Sequence, residues 1–228
     1  MTPVCLITGA GGRLGQALCR ALLGRYEVAA AYRSRVPDVP SQLRRPVAAG
    51  ASPPAAYCVQ ADLTRREDVR RLVEVTLARF GRVDAPVNVA ADVAFHGRLL
   101  DLWPMEEYAA QQLSVNCVAP CLLVSALHHA CWKDAPQENA CRNRSVVNVS
   151  SQSGLYAYPS AGQAVYGASK AALNMLTLYQ ALELAPYSVR VNALCPGRFM
   201  DAATTGRVVD RIAALLAGTA TGEVITDP

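Results

Sequence analysis

Lysine is nearly missing from this chain: only Lys133 and Lys170 occur, and arginine supplies the remaining positive charge. The net charge is +4 and the arginines are scattered, so no basic block marks a nucleic-acid surface and no nucleic-acid partner is expected. Long apolar runs are also lacking. The densest stretch, Val115 to Trp132, is interrupted by Asn116, Pro120, Ser125, His128 and His129, which predicts no membrane span. The N-terminus has no basic segment followed by a cleavage site, so a signal peptide is not expected. There is no Cys-x-x-Cys among the cysteines at 5, 19, 58, 117, 121, 131, 141 and 195. Cys117, Cys121, His128, His129 and Cys131 crowd one stretch, but without the closely spaced ligand pairs that zinc takes, so no metal is expected. The thiols read as small buried hydrophobes in a reduced, cytoplasmic protein.

What is present is a 228-residue chain with a 52% hydrophobic fraction, enough for one well-filled domain over 1–228. Short β-branched runs alternate with helical patterns. Strands are predicted at 4–8, 28–32, 56–60, 83–89, 145–149, 189–193 and 223–226. Helices are predicted at 13–24, 65–80 (with Thr64 as N-cap), 105–130, 166–184 and 208–217. The stretch 36–55, rich in Pro, Ala and Ser, reads as a loop. Strands alternating with helices argue for an α/β Rossmann fold, a doubly wound parallel sheet with helices on both faces.

The first strand runs into Thr8-Gly9-Ala10-Gly11-Gly12-Arg13-Leu14-Gly15 and then a helix. Glycines there allow a tight turn and let backbone N–H groups reach a pyrophosphate at the helix N-terminus, a dinucleotide signal. Gly9, Gly12, Arg13 and Leu14 are the candidate contacts. The second strand ends at Arg33-Ser34, eighteen residues past Gly15, where a site for NAD places an acid to hold the ribose hydroxyls. A guanidinium and a hydroxyl suit a 2′-phosphate instead, and Arg13 adds charge, so the expected cofactor is NADP(H).

Tyr166 and Lys170 are four apart on a helix, so their head groups can meet. A free phenol titrates near ~10 and exchanges protons poorly at neutral pH, and a neighbouring ammonium is expected to lower that value. Upstream, Val146-Val147-Asn148-Val149-Ser150-Ser151 is a buried strand ending in hydroxyls. Downstream, Asn192-Ala193-Leu194-Cys195-Pro196-Gly197 is a strand followed by a turn. The ends of these strands face the crevice that holds the glycine turn.

With Ala61-Asp62-Leu63, Asn88-Val89-Ala90-Ala91 and Asn116, these segments follow one another in an order that resembles the short-chain dehydrogenase/reductase family over nearly the whole chain. The resemblance implies an oxidoreductase that moves a hydride between a nicotinamide and a small carbonyl or alcohol substrate. It makes Tyr166 the acid-base, Lys170 the residue that binds the nicotinamide ribose and tunes Tyr166, and Ser151 the hydrogen-bond donor to the substrate oxygen. Asn116 holds a water in the proton relay. Asp62 and Leu63 lie near the adenine, Asn88 and Ala90 along the cofactor, and Pro196 and Gly197 near the nicotinamide. It also implies a homodimer or homotetramer.

Four features depart from the family. Compact members carry Gly where this chain has Arg13, and the glycine spacing instead resembles extended sugar-nucleotide epimerases and dehydratases. An Arg at this place is similar to the NADPH-preferring pteridine reductases. Val89 replaces a polar residue near the cofactor. The catalytic serine is Ser151 by strand alignment and Ser153 by distance from Tyr166; the strand end favours Ser151. The segment 198–207 leaves little room for the family's substrate lid. A catalytically weak or inactive NADP(H)-binding sensor on the same fold is the alternative.

Overall fold

The computed structural model describes residues 2–41, 55–103, 105–158, 162–198 and 201–227. Most of the expected loop 36–55 therefore lies outside the described residues. Among these residues seven strands form one parallel sheet: β1 (Val4–Ile7), β2 (Glu27–Tyr32), β3 (Tyr57–Gln60), β4 (Ala85–Asn88), β5 (Ser145–Val149), β6 (Arg190–Pro196) and β7 (Glu223–Asp227). Their order is β3-β2-β1-β4-β5-β6-β7. The order reverses between β1 and β4, which opens a crevice at the carboxyl ends of those strands.

Two cores fill the two faces. Alternation along β1 sends Cys5 and Ile7 to one side and Leu6 to the other. The Cys5 side packs on α1 (Arg13–Leu22) and α7 (Ala202–Ala217) through Leu14, Leu18, Leu22, Ile212 and Leu216. The Leu6 side packs on α2 (Arg66–Phe80) and on the helix containing Leu123, Leu127 and Trp132. That helix is built from α3 (Glu106–Leu113), a π-turn (Ser114–Val118), α4 (Ala119–Leu127) and a second π-turn (His128–Trp132). A short α5 (Pro136–Cys141) follows, and α6 (Ala164–Leu184) completes the set.

The helix expected at 105–130 is present as a continuous Glu106–Trp132, and an 18-residue window in it reaches a mean hydropathy of 1.4. By length and composition alone it could cross a membrane, but its apolar side is committed to the core, with Leu123, Leu127 and Trp132 wholly buried. Two expectations need correction. Thr64 does not cap α2. Its N–H and hydroxyl both donate to Asp62 Oδ1, and the helix starts one residue later than expected, after Arg65. Finally, α7 starts at Ala202, not at Val208, because Asp201 and Thr204 form a reciprocal capping box that offsets the poor helix propensity of Thr204, Thr205 and Gly206.

At the amino ends of the strands Asp84 ties the sheet together. Its carboxylate accepts from the Val4 N–H (2.9 Å), Arg82 Nε (2.9 Å) and Arg144 Nε (3.2 Å), all buried. None of the eight cysteines forms a disulfide.

Candidate active site

A cleft of about 550 Å³ runs along the carboxyl ends of the strands. One end is the glycine turn. Gly9 has φ +65°, and a Cβ there would stand 2.8 Å from the Ala90 backbone, so only glycine lets the two loops close on each other. Thr8 fixes the same contact by accepting the N–H of Val89 (3.0 Å) and of Ala90 (3.2 Å). Gly12 is the N-cap of α1 and brings no side chain to the helix end, and the first turn holds no acid. The leading N–H groups of α1 therefore keep their capacity for an anion in the cleft.

The same end carries Arg13, Leu14, Arg33, Ser34, Asp62 and Leu63 on the cleft wall, with Arg35 beside them. Burial raises the carboxyl of Asp62. Hydrogen bonds from Thr64, and then the charges of Arg33 and Arg65, outweigh that and hold it below the usual carboxylate range. Asp62 is therefore a fixed anion that offsets part of the arginine charge.

At the other end stand Ser151, Tyr166, Lys170, Pro196 and Gly197, with Ala90 between. Two glycines bring the serine segment against the helix. A Cβ on Gly154 would meet the Lys170 backbone at 2.7 Å, and one on Gly167 would meet the Ser153 carbonyl at 2.6 Å. This close packing sets the Ser151 segment against the Tyr166 helix. Ser153 is turned away, with its hydroxyl donating to Gln163 Oε1 at 3.2 Å.

Lys170 is only 1% exposed, and burial lowers its pKa from 10.5 to about 8. Its Nζ donates to the Val149 carbonyl (2.9 Å) and lies 5.8 Å from the centroid of the Tyr166 ring. The expected lowering of the Tyr166 pKa is not what the structure gives. Burial raises that phenol, and the Ser151 hydrogen bond only partly offsets it. Desolvation of a phenolate outweighs the influence of an ammonium whose own charge is penalised by the same burial.

Two of the sequence-derived residues lie behind the cleft rather than in it. Asn88 donates to Asn148 Oδ1 (2.8 Å) and ties β4 to β5. Asn116, wholly buried in the π-turn, is spent on structure. Its Nδ2 reaches the Asp92 carbonyl (2.9 Å) and Ser169 Oγ (2.9 Å), and its Oδ1 accepts the Asp92 N–H (2.8 Å). Ser169 Oγ in turn donates to the Tyr166 carbonyl (2.7 Å), so Asn116 acts on the tyrosine through the helix backbone.

The sequence reading missed Ser150 and Asp92, which also line the cleft. Ser150 donates to the Lys170 carbonyl (3.1 Å), a role that its place at a strand end announces. Asp92 is clamped on every polar group: besides Asn116, it is held by Gln111 Nε2 (2.9 Å), Gln112 Nε2 (3.0 Å) and the Ala94 N–H (2.7 Å). No spacing in the sequence signals that clamp, since its side-chain partners Gln111, Gln112 and Asn116 lie 19, 20 and 24 residues away.

A family model described as short chain dehydrogenase matches residues 3–211. Among curated proteins, an A-factor type gamma-butyrolactone 1'-reductase of Streptomyces virginiae is 35% identical over 204 residues, covering 85% of this chain and 70% of that protein. Dehydrogenase/reductase SDR family member 4 of Homo sapiens is 32% identical over 196 residues, and the match spans 85% of this chain but only 65% of the relative's length. Among solved structures, the 3-ketoacyl-(acyl-carrier-protein) reductase from Brucella melitensis, complexed with NADH, superposes with a TM-score of 0.80 at 25% identity, covering 98% of this chain and 96% of that one. With the glycine turn, the serine strand and the Tyr166–Lys170 helix gathered on one cleft, the chain belongs to the short-chain dehydrogenase family.

Proposed function

We propose that this chain is an NADP(H)-dependent oxidoreductase acting on a carbonyl or alcohol. The observation that carries this reading is the convergence of Ser151, Tyr166 and Lys170 at one end of a cleft whose other end is an uncapped helix N-terminus. The Brucella melitensis neighbour is a reductase with bound NADH, which supports a nicotinamide cofactor. Arg33, Ser34 and Arg13 line the adenine end of the cleft and favour the form with a 2′-phosphate. Gly9, Gly12 and Leu14 would take the pyrophosphate, Asp62 and Leu63 the adenine, and Ala90, Lys170, Pro196 and Gly197 the nicotinamide half.

When bound, the reduced nicotinamide supplies the hydride that goes to the carbonyl carbon. The carbonyl oxygen accepts hydrogen bonds from Ser151 and Tyr166, and the Tyr166 proton passes to it as the alcohol forms. The raised pKa of Tyr166 keeps the phenol protonated at neutral pH, the form needed for reduction. Lys170 stands next to the phenol and holds the cofactor ribose, while Asn116 positions Tyr166 through Ser169. The reverse reaction runs through the same groups.

Tyr166→Phe tests this. An enzyme should lose at least about a hundredfold in turnover, the usual weight of a general acid, while its NADPH affinity stays put. A second reading, a dinucleotide sensor without turnover, is favoured by Val89, which packs on the core and offers no polar group to the cofactor. Equal carbonyl reduction by variant and wild type would remove the mechanism; binding without any reduction in either would favour the sensor.

Two further proposals attach to this reading. Val118 at the end of the first π-turn, Leu122 on α4, and Met175, Tyr179 and Leu182 on α6 are exposed and suit a second copy in a homodimer or homotetramer. Eight cysteines held outside any disulfide suit a reducing cytoplasm.

A further inference from the structure

The cleft wall assigned to the nicotinamide half lies where β6 ends, at Pro196 and Gly197. Sheet hydrogen bonding is thin at this point. The pairing of β5 with β6 ends at Val149 and Leu194. Pro196, paired on its other side with Asp227 of β7, has no N–H to give to either neighbour. Gly197 brings no side chain that could anchor it.

The tie that the ladder lacks comes from Gln152, in the short turn (Gln152–Gly154) that follows Ser151. Its half-buried side chain crosses the end of β6 and reaches β7, where Nε2 donates to the Asp227 carbonyl at 2.8 Å. On the way its carboxamide lies flat on Gly197. A Cβ there would stand 3.2 Å from Oε1 and 3.3 Å from both Cδ and Nε2, distances so nearly equal that only the face of the amide can give them. The Tyr158 hydroxyl donates to the same Oε1 at 3.2 Å.

Both ends of this tie are fixed. The Gln152 carbonyl accepts the N–H groups of Leu155 (2.9 Å) and Tyr156 (3.0 Å), which locks the turn. Asp227 Oδ1 lies 3.7 Å from Arg211 Nε, which pins the end of β7 to α7. On its other flank the turn is packed on α6, with Gly154 against Lys170 and Ser153 against Gly167. One turn therefore joins the helix that carries Tyr166 and Lys170 to the strand end that carries Gly197.

We propose that Gln152 is a positioning residue: its amide holds Pro196 and Gly197 at a fixed distance from Ser151 and Tyr166, and so seats the nicotinamide ring beside the acid that serves it. The inference rests on the oxidoreductase reading and deepens it. Gln152 is not among the side chains that line the cleft, so its effect passes through Gly197 and Asp227.

Two ligands separate positioning from folding. NADPH carries both halves of the dinucleotide, whereas 2′,5′-ADP carries only the adenine half. Calorimetric titration of the full chain with each gives a ratio of affinities that reports on the nicotinamide half. Gln152→Ala should weaken NADPH about five- to tenfold, the weight of one hydrogen bond, and leave 2′,5′-ADP within about twofold. Gln152→Met, which keeps the volume without the amide, should show the same selective loss. If NADH binds tighter than NADPH, NADH and ADP form the matching pair.

Equal losses for both ligands would mean that Gln152 only supports the fold, and overturn the proposal. A Gln152→Met variant that binds NADPH like wild type overturns it as well, because the amide would then be dispensable. So does a wild type that binds 2′,5′-ADP as tightly as NADPH, since nothing would be gained from the nicotinamide half. A selective loss of NADPH in both variants, with no turnover of any ketone by the wild type, sustains the role of Gln152 and removes the reductase reading.

Discussion

Lys170 sits almost without solvent, and its charge is held there against burial. Its displacement from 10.5 to about 8 is largely the cost of desolvating an ammonium. At 1.36 kcal/mol per unit of pKa that cost is about 3 kcal/mol in the native state. Methionine has a similar length and no charge, so Lys170→Met removes the cost but leaves the Val149 carbonyl without its donor, a loss of about 1–2 kcal/mol. The variant should be more stable than wild type at pH 7 by about 1–2 kcal/mol. The folded pKa lies below the unfolded one, so the penalty is complete below pH 8 and fades as the pH rises from 8 to 10.5. By pH 10 the advantage of the variant should have shrunk by about 2 kcal/mol, and methionine becomes neutral or unfavourable. Urea unfolding of cofactor-free protein at both pH values gives the difference directly. A variant less stable than wild type by the same amount at pH 7 and pH 10 would refute the reasoning, because it would mean that Lys170 carries no desolvation penalty.

Two other substitutions probe different parts of the molecule. Asp84→Asn removes the buried carboxylate that Arg82 and Arg144 share, leaving Arg144 only its longer contact to Glu138 at 3.4 Å; it should cost about 3–5 kcal/mol in chemical unfolding, and a loss below about 1 kcal/mol would show the shared carboxylate to be dispensable. Arg33→Ala should weaken NADPH binding about 10- to 100-fold, the weight of one charge-assisted contact, and leave NADH affinity within about twofold; equal losses for both would separate Arg33 from the 2′-phosphate.

The seven strands and their parallel, doubly wound sheet were readable because each strand is a short buried run bounded by turn residues, and strands alternating with helices leave few topologies. The glycine turn and the Tyr166–Lys170 pair were readable because their geometry depends on spacing within one local segment. What escaped depends on contacts between distant segments. Asp92 gains its role from amides on α3 and its π-turn, and the bend that aims Asn116 at Ser169 leaves no mark in periodicity. The start of α7 escaped because one capping box outweighs three poor helix formers. The direction of the Tyr166 shift escaped because burial is a property of the assembled cleft, whereas the four-residue spacing to Lys170 is visible in the chain.

The most direct test of the cofactor reading is a calorimetric titration of the purified protein with NADPH and, in parallel, with NADH. NADPH is expected to bind at least about tenfold tighter, as one charge-assisted phosphate contact allows. Tighter binding of NADH would contradict the roles given to Arg33 and Ser34, and binding of neither would contradict the assignment of the cleft to a nicotinamide dinucleotide.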